Sequence, residues 1–285
     1  MKAHQSMKRP LGSALRRAAL LALLTTAVLL APQAQAGRAC NAAQAPQAAT
    51  VERALTLAAR TLKALDASGA SLVVLARAGQ DLGKYGLQYS HLGLAYRQAD
   101  GQGGHVWRVL HKLNQCGTAE SAIYRQGLGE FFLDDLWRYE AAWVVPTRAL
   151  QASLLALLQD EARSVQLHHK PYNMVSYAWG QQYQQSNQWA IETMALAAAP
   201  DIPVMGATRQ QAQSWLRATD YQPSTLNINA ATRLGASVSA ANIAFDDHPS
   251  AKRFAGKIET VTVDSVFAWM ARAGLGQAPV VLQDR

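Results

Sequence analysis

Cysteine is nearly absent: Cys40 and Cys116 are the only two in 285 residues. That excludes a small scaffold held together by several disulfides, and with 49% apolar residues the chain can build a core without such staples. Long apolar runs are also scarce. After the first three dozen residues no stretch approaches the roughly 20 residues needed to cross a bilayer. No basic cluster with interleaved aromatics is present, which argues against a nucleic-acid partner. Internal repeats are missing, and so are low-complexity tracts beyond the leader, which excludes solenoids and propellers. Histidines at metal-ligand spacing are missing too. His168 and His169 are neighbours, and adjacent residues rarely chelate together, so neither a metal nor another cofactor is expected.

What is present begins with a leader. Lys2, Lys8, Arg9, Arg16 and Arg17 form a positive segment without an acid, an apolar run follows from Ala18 to Ala31, and Ala34-Gln35-Ala36 closes it. Charge, short apolar run and A-x-A site in that order predict a secretory signal peptide cleaved after Ala36, and hence a periplasmic or secreted protein. Arg38, two residues before Cys40, argues against a lipoprotein site. The leader also distorts the charge. Five of the 27 basic residues precede Ala36, leaving 22 against 19 acids, so the formal +8 of the whole chain falls to +3. In an oxidising compartment two cysteines are expected to pair, and a Cys40–Cys116 disulfide is the expectation; two separate buried thiols are the alternative.

The organisation is read from periodicity. Residues 37–50 are an irregular lead-in. Val51, Leu55, Ala58, Leu62 and Leu65 recur at helical spacing. Ser71–Ala76 reads as a buried strand, and Tyr89–Tyr96 and His105–Leu113 as a hairpin around a glycine-rich loop. Ala141–Val145 is a strand ended by Pro146, with Thr147 capping a helix through Leu158. Helices follow from Asn187 to about Ala199 and from Thr208 to Ala218. A smaller unit holds a strand around Asn242–Phe245, the turn Asp246-Asp247-His248-Pro249, a strand Ile258–Val263 and a last helix capped by Asp264. The fold class is α+β: a mostly antiparallel sheet packed with helices, with a core over 51–220 and a C-terminal α/β extension over 221–285.

Three features fall in a suggestive order. Ser90-His91-Leu92-Gly93 lies on one strand and His111 on the next. Pro171-Tyr172-Asn173 precedes by about a dozen residues a polar residue opening a helix, Ser186-Asn187-Gln188-Trp189. This order resembles the circularly permuted papain-like superfamily, which includes lecithin:retinol acyltransferase-like enzymes and NlpC-type cell-wall hydrolases. The wider pattern, from Arg77-Ala78-Gly79-Gln80-Asp81-Leu82 to Asp246-Asp247-His248-Pro249, also resembles an uncharacterised family of bacterial exported proteins. The papain-like resemblance implies His91 as base, His111 as the residue orienting its ring, and Ser186 at the nucleophile position where the superfamily carries cysteine. Tyr172, Asn173, Asn187, Gln188 and Trp189 would then line a binding groove. A helix N-terminus suits such a nucleophile, because its free N–H groups and dipole stabilise developing negative charge.

Serine changes the chemistry. It lacks the low pKa that forms a resting thiolate–imidazolium pair, so it depends wholly on an aligned base. Each residue also has an ordinary explanation: Ser186 as a helix cap, His91 and His111 as strand residues, Trp179, Tyr183 and Trp189 as core packing, Asp246-Asp247-His248-Pro249 as an acidic turn. Two functions follow. One is an exported non-catalytic or weakly catalytic module that binds a peptide or lipid of the cell envelope. The other is an amide or ester hydrolase, or acyltransferase, using Ser186 and His91 on cell-wall peptide or lipid acyl groups. Both need Ser186 and His91 to face one groove, and catalysis requires them within hydrogen-bond reach.

Overall fold

The computed structural model describes residues 46–283 apart from 135 and 204. The leader, the cleavage site and Cys40 lie outside the described residues. A first helix, α1 (Ala48–Ala67), starts inside the expected lead-in; of the expected stripe it buries Ala58 and Leu65 but leaves Leu55 and Leu62 exposed, because the buried face is turned toward Ala54, Leu57 and Thr61. Then come β1 (Leu72–Ala78), β2 (His91–Ala99), β3 (His105–Asn114) and β4 (Ser121–Gly127). A five-residue helix, α2 (Leu128–Phe132), leads to β5 (Arg138–Val144).

These strands and a C-terminal one, β8 (Val280–Gln283), form a six-stranded sheet in the order β4-β3-β2-β1-β5-β8, with every neighbouring pair antiparallel. The central strand β1 is buried on both faces, which is why Leu72–Ala76 is a continuous apolar run and not an alternation.

The two faces carry different cores. On one, Leu72, Val74, Leu92, Leu94, Tyr96 and Leu110 pack under α3 (Arg148–Gln159), α5 (Ser186–Ala198), α6 (Arg209–Ala218) and α9 (Val263–Arg272), with the short α4 (Glu161–Ser164) between α3 and α5. On the other, Val73, Leu75, Ala95, Trp107 and Val109 pack under α1 and α2. Strand alternation alone assigns each residue to its side. Helix α5 is buried along nearly its whole length, with Trp189, Ile191 and Met194 fully enclosed. Among the described residues no helix is long and apolar enough to cross a membrane.

The C-terminal stretch departs from expectation. A small sheet, β6 (Ser224–Asn227) with β7 (Lys257–Thr260), does form, with α7 (Ala230–Ser239) and α8 (Ser250–Phe254) around a minor core of Leu226, Ile228, Phe245 and Ile258. Helix α9 and strand β8 belong to the main body, so the C-terminal stretch supplies part of the main core and the edge of the main sheet. Asn242–Phe245 is not a strand but a loop whose Asn242 and Ala244 carbonyls accept from Met174 and Asn173, so its backbone is satisfied without sheet pairing. The last helix is capped by Thr262, not Asp264, because the Thr262 hydroxyl accepts from the Ser265 N–H while Asp264 reaches out to the Gln88 N–H.

Candidate functional site

Strands β2 and β3 bring the two histidines together. Their backbone pairing runs from Ala99↔His105 down to Leu94↔Leu110 and stops there. Just beyond, the rings bridge the strands: His91 Nε2 lies 2.9 Å from His111 Nδ1, and His111 Nε2 lies 2.8 Å from Gln126 Oε1 on β4. An amide oxygen only accepts, so His111 carries its proton on Nε2 and its bare Nδ1 accepts from His91 Nε2–H. The lone pair of His91 Nδ1 is left over. His111 thus links His91 to Gln126, extending the hydrogen-bonded chain to a third strand.

Both rings are neutral. Burial is the main cause, with the Arg77 guanidinium adding to it. His111 is lowered to about 3, and His91 is also pushed well below the usual imidazole value. Arg77 is itself buried, donates to the Phe131 carbonyl and to Asp134, and stacks over the Phe131 ring. Phe131 covers both histidines, with ring centroids 6.0 Å from His91 and 5.3 Å from His111. Gly93 makes this closeness possible: a Cβ there would come 2.4 Å from a Val109 methyl carbon and 3.1 Å from the Phe131 ring.

The start of α5 is built differently. Gln185 is the residue that caps it, its side chain accepting from the Asn187 N–H. Ser186 is the first helical residue and is buried. Its Oγ lies 3.5 Å from the Tyr172 hydroxyl. Asn187 reaches into the place where β2 has parted from β3: its Oδ1 accepts from Leu92 N–H at 2.9 Å and its Nδ2 donates to the Ser90 carbonyl at 3.3 Å. Its amide therefore stands in for the missing strand partner on either side of His91. Gln188 accepts from Ser176 and donates to the Tyr177 and Ala178 carbonyls. Asn173 bonds Ala244 through both its oxygen and its nitrogen. Trp189 is fully enclosed in the main core.

His91 and Ser186 have different neighbours. The His91 ring points to the α1/α2 face, with His111 and Phe131 as neighbours, while Ser186 opens a helix packed on the opposite face beside Leu92. Among the described residues no hydrogen bond joins Ser186 to His91. The physical reason is the strand period: His91 and Leu92 must point to opposite sides, and α5 packs on the Leu92 side. Tyr172, Asn173, Asn187, Gln188 and Trp189 likewise face inward and brace the fold; none is an exposed groove residue.

Sequence reasoning missed a buried ionic network beneath α5. Glu192, fully enclosed, receives Arg209 through two nitrogens at 2.8 and 3.1 Å, Gln213 at 2.7 Å and Gln184 at 2.6 Å. Gln184 Oε1 in turn accepts from Lys112 Nζ at 2.8 Å, and the His169 carbonyl accepts from the same amine. Burial, with Arg209 adding to it, lowers Lys112 to about 6. The available signal was alternation on β3, which puts Lys112 on the same face as Leu110.

The acidic turn is bonded within the fold. Asp247 accepts from the Tyr177 N–H and pairs with His248 Nδ1 at 2.9 Å, and Asp246 accepts from Gln182 and Tyr183, so the acidic turn clamps the segment before α5. Cys116, in the turn between β3 and β4, is not a free thiol. Two surface cavities, of about 490 and 630 Å³, lie away from both histidines and Ser186: one beside Trp215 on α6, the other between Ser68–Ser71 and the start of α3.

No curated protein and no solved structure matches the chain. A model of the bacterial family described as "Uncharacterized protein conserved in bacteria (DUF2145)" matches residues 64–270, most of the chain, and the protein belongs to that family.

Proposed function

We propose that the protein is an exported, non-catalytic binding domain of the cell envelope, in which residues ordered as in the permuted papain-like superfamily serve to hold the fold together. The observation that carries this reading is the divergence of Ser186 and His91: the hydroxyl meets Tyr172, while the imidazole meets His111 and Phe131. A serine without an aligned base is a poor nucleophile. Residues 185, 187 and 188, which would flank it, are engaged in bonds to the Thr260–Val261, Ser90–Leu92 and Ser176–Ala178 segments. The candidate ligand is a peptide or lipid of the envelope, and the leader supports export.

The competing reading, a serine hydrolase or acyltransferase, is favoured by one observation, the bare Nδ1 that His111 and Gln126 leave on His91. A fluorophosphonate probe separates the two. The binding-domain reading expects no adduct on Ser186 in folded protein. An adduct that disappears in His91→Ala, with the fold retained, would establish the enzyme instead.

A further inference from the structure

Helix α7 turns its larger apolar side chains away from the protein. Arg233, Ala236 and Ala240 point inward: Arg233 donates to the Ile228 carbonyl, Ala236 is buried, and Ala240 packs on the minor core. Ala231, Leu234 and Val238 recur at i, i+3 and i+7 on the opposite side. Leu234 is 70% exposed and Val238 81% exposed. On the neighbouring helix α8, Phe254 is 75% exposed. The two elements adjoin, since Ile228 N–H donates to the Gly256 carbonyl just past α8, and a Cβ on Gly256 would lie 3.7 Å from Arg233 Nη1. Scattered exposed leucines are ordinary, but an outward apolar stripe beside an exposed phenylalanine is an unpartnered surface.

Charge says what covers it. Residues 229–240 and 249–257 hold no acid; Arg233 points inward and Lys252 is offset by Glu259, which leaves Arg253 and Lys257 as the cations of this surface. Lys252 is bonded to Glu259 and Lys257 to Asn227, while Asp246 and Asp247 are held by Gln182, Tyr183, Tyr177 and His248 on the clamp described above. A second copy of the chain would bring these cations face to face with their own kind in an isologous contact, which disfavours self-association. Apolar side chains standing out among cations instead match the boundary of an anionic bilayer, where acyl chains take the apolar groups and headgroups the cations. We infer that α7 and α8 dock this protein on an anionic lipid surface through Leu234, Val238 and Phe254. This deepens the binding role proposed above by naming its surface and ligand class.

The test is co-sedimentation of residues 37–285, the chain left by cleavage after Ala36, with vesicles of phosphatidylglycerol or of phosphatidylcholine. Leaving out the leader removes an apolar run that would bind lipid by itself. Binding to phosphatidylglycerol at least tenfold tighter than to phosphatidylcholine, weakened by salt, is expected. Leu234→Ser/Val238→Ser and, separately, Phe254→Ser are each expected to lower it several-fold while circular dichroism stays unchanged. The proposal is overturned if the wild-type chain ignores both vesicles, if the variants bind undiminished, or if sedimentation shows a dimer that Leu234→Ser/Val238→Ser dissolves. None of these outcomes depends on whether Ser186 reacts with a fluorophosphonate, so the non-catalytic reading stands or falls separately.

Discussion

His91 and His111 share a 2.9 Å hydrogen bond between Nε2 and Nδ1 on the face of the sheet turned away from Ser186. Their neutrality has a consequence for stability. His111 titrates near 6.5 when unfolded and near 3 when folded, and His91 is shifted in the same direction. Between those values the unfolded chain binds more protons, so the histidines' contribution to stability is full above about pH 6.5 and is lost as the pH drops toward 3. Each pH unit below 6.5 costs up to about 1.4 kcal/mol per histidine. His168, lowered to about 4, and His169 act with the same sign, while Asp264, raised by burial, acts with the opposite one. Urea unfolding from pH 7.5 to 4.5 is expected to show this loss. His111→Gln is expected to lower stability at pH 7.5 yet flatten the slope; an unchanged slope would mean that the ring is protonated in the fold.

The pair was legible because strand alternation and a glycine two residues beyond His91 are local signals. So were the capping threonine Thr147 and the end of α5 near Ala199, and the family resemblance was legible along most of the chain. The side of the sheet on which α5 packs was not. It depends on where Trp189, Ile191 and Met194 find complementary apolar surface, a tertiary fact that residue order does not encode. Strand β4 was missed because Ala122–Gln126 lacks strong β formers apart from Ile123 and Tyr124 and has one partly exposed face. Helix α7 was missed because its exposed stripe inverts the usual rule of apolar side inward.

Glu192 and Arg209 form a buried pair whose remaining bonds are completed by Gln184 and Gln213. Removing one partner leaves the other charge without compensation in a low-dielectric site. Glu192→Gln and Arg209→Met are each expected to cost about 3–5 kcal/mol in urea unfolding. Because each single change strands its partner, the double variant Glu192→Gln/Arg209→Met is expected to cost clearly less than the sum of the two single substitutions. Simple additivity would show that the two side chains act independently.

Lys112 predicts a slope of its own at alkaline pH. Its amine is lowered from 10.5 to about 6, so at neutral pH the folded chain holds it uncharged while the unfolded chain holds it protonated. The unfolded state again binds more protons, and stability rises with pH between about 6 and 10.5. Unfolding free energies measured at pH 7 and 9.5 are expected to differ in favour of the higher pH for the wild-type chain. Lys112→Met removes the titrating group, and the rise is expected to disappear. A rise that survives the substitution would assign it to another residue.

Asn187 is expected to matter more for the sheet than for any reaction. Its carboxamide supplies one acceptor and one donor to a backbone segment that has lost its strand neighbour, through Leu92 N–H and the Ser90 carbonyl. Asn187→Ala leaves both groups unpaired in a water-poor site and is expected to cost about 1–3 kcal/mol. Asn187→Asp keeps the acceptor for Leu92 but sets a carboxylate against the Ser90 carbonyl, so it is expected to fall between the wild type and Asn187→Ala near neutral pH only if the Leu92 bond dominates. Amide exchange gives a local check: protection at Leu92 is expected to drop in Asn187→Ala while that at Leu94, inside the β2–β3 ladder, is much less affected. Equal loss at both positions would mean that the helix start supports the whole hairpin and not the parted end of β2 alone.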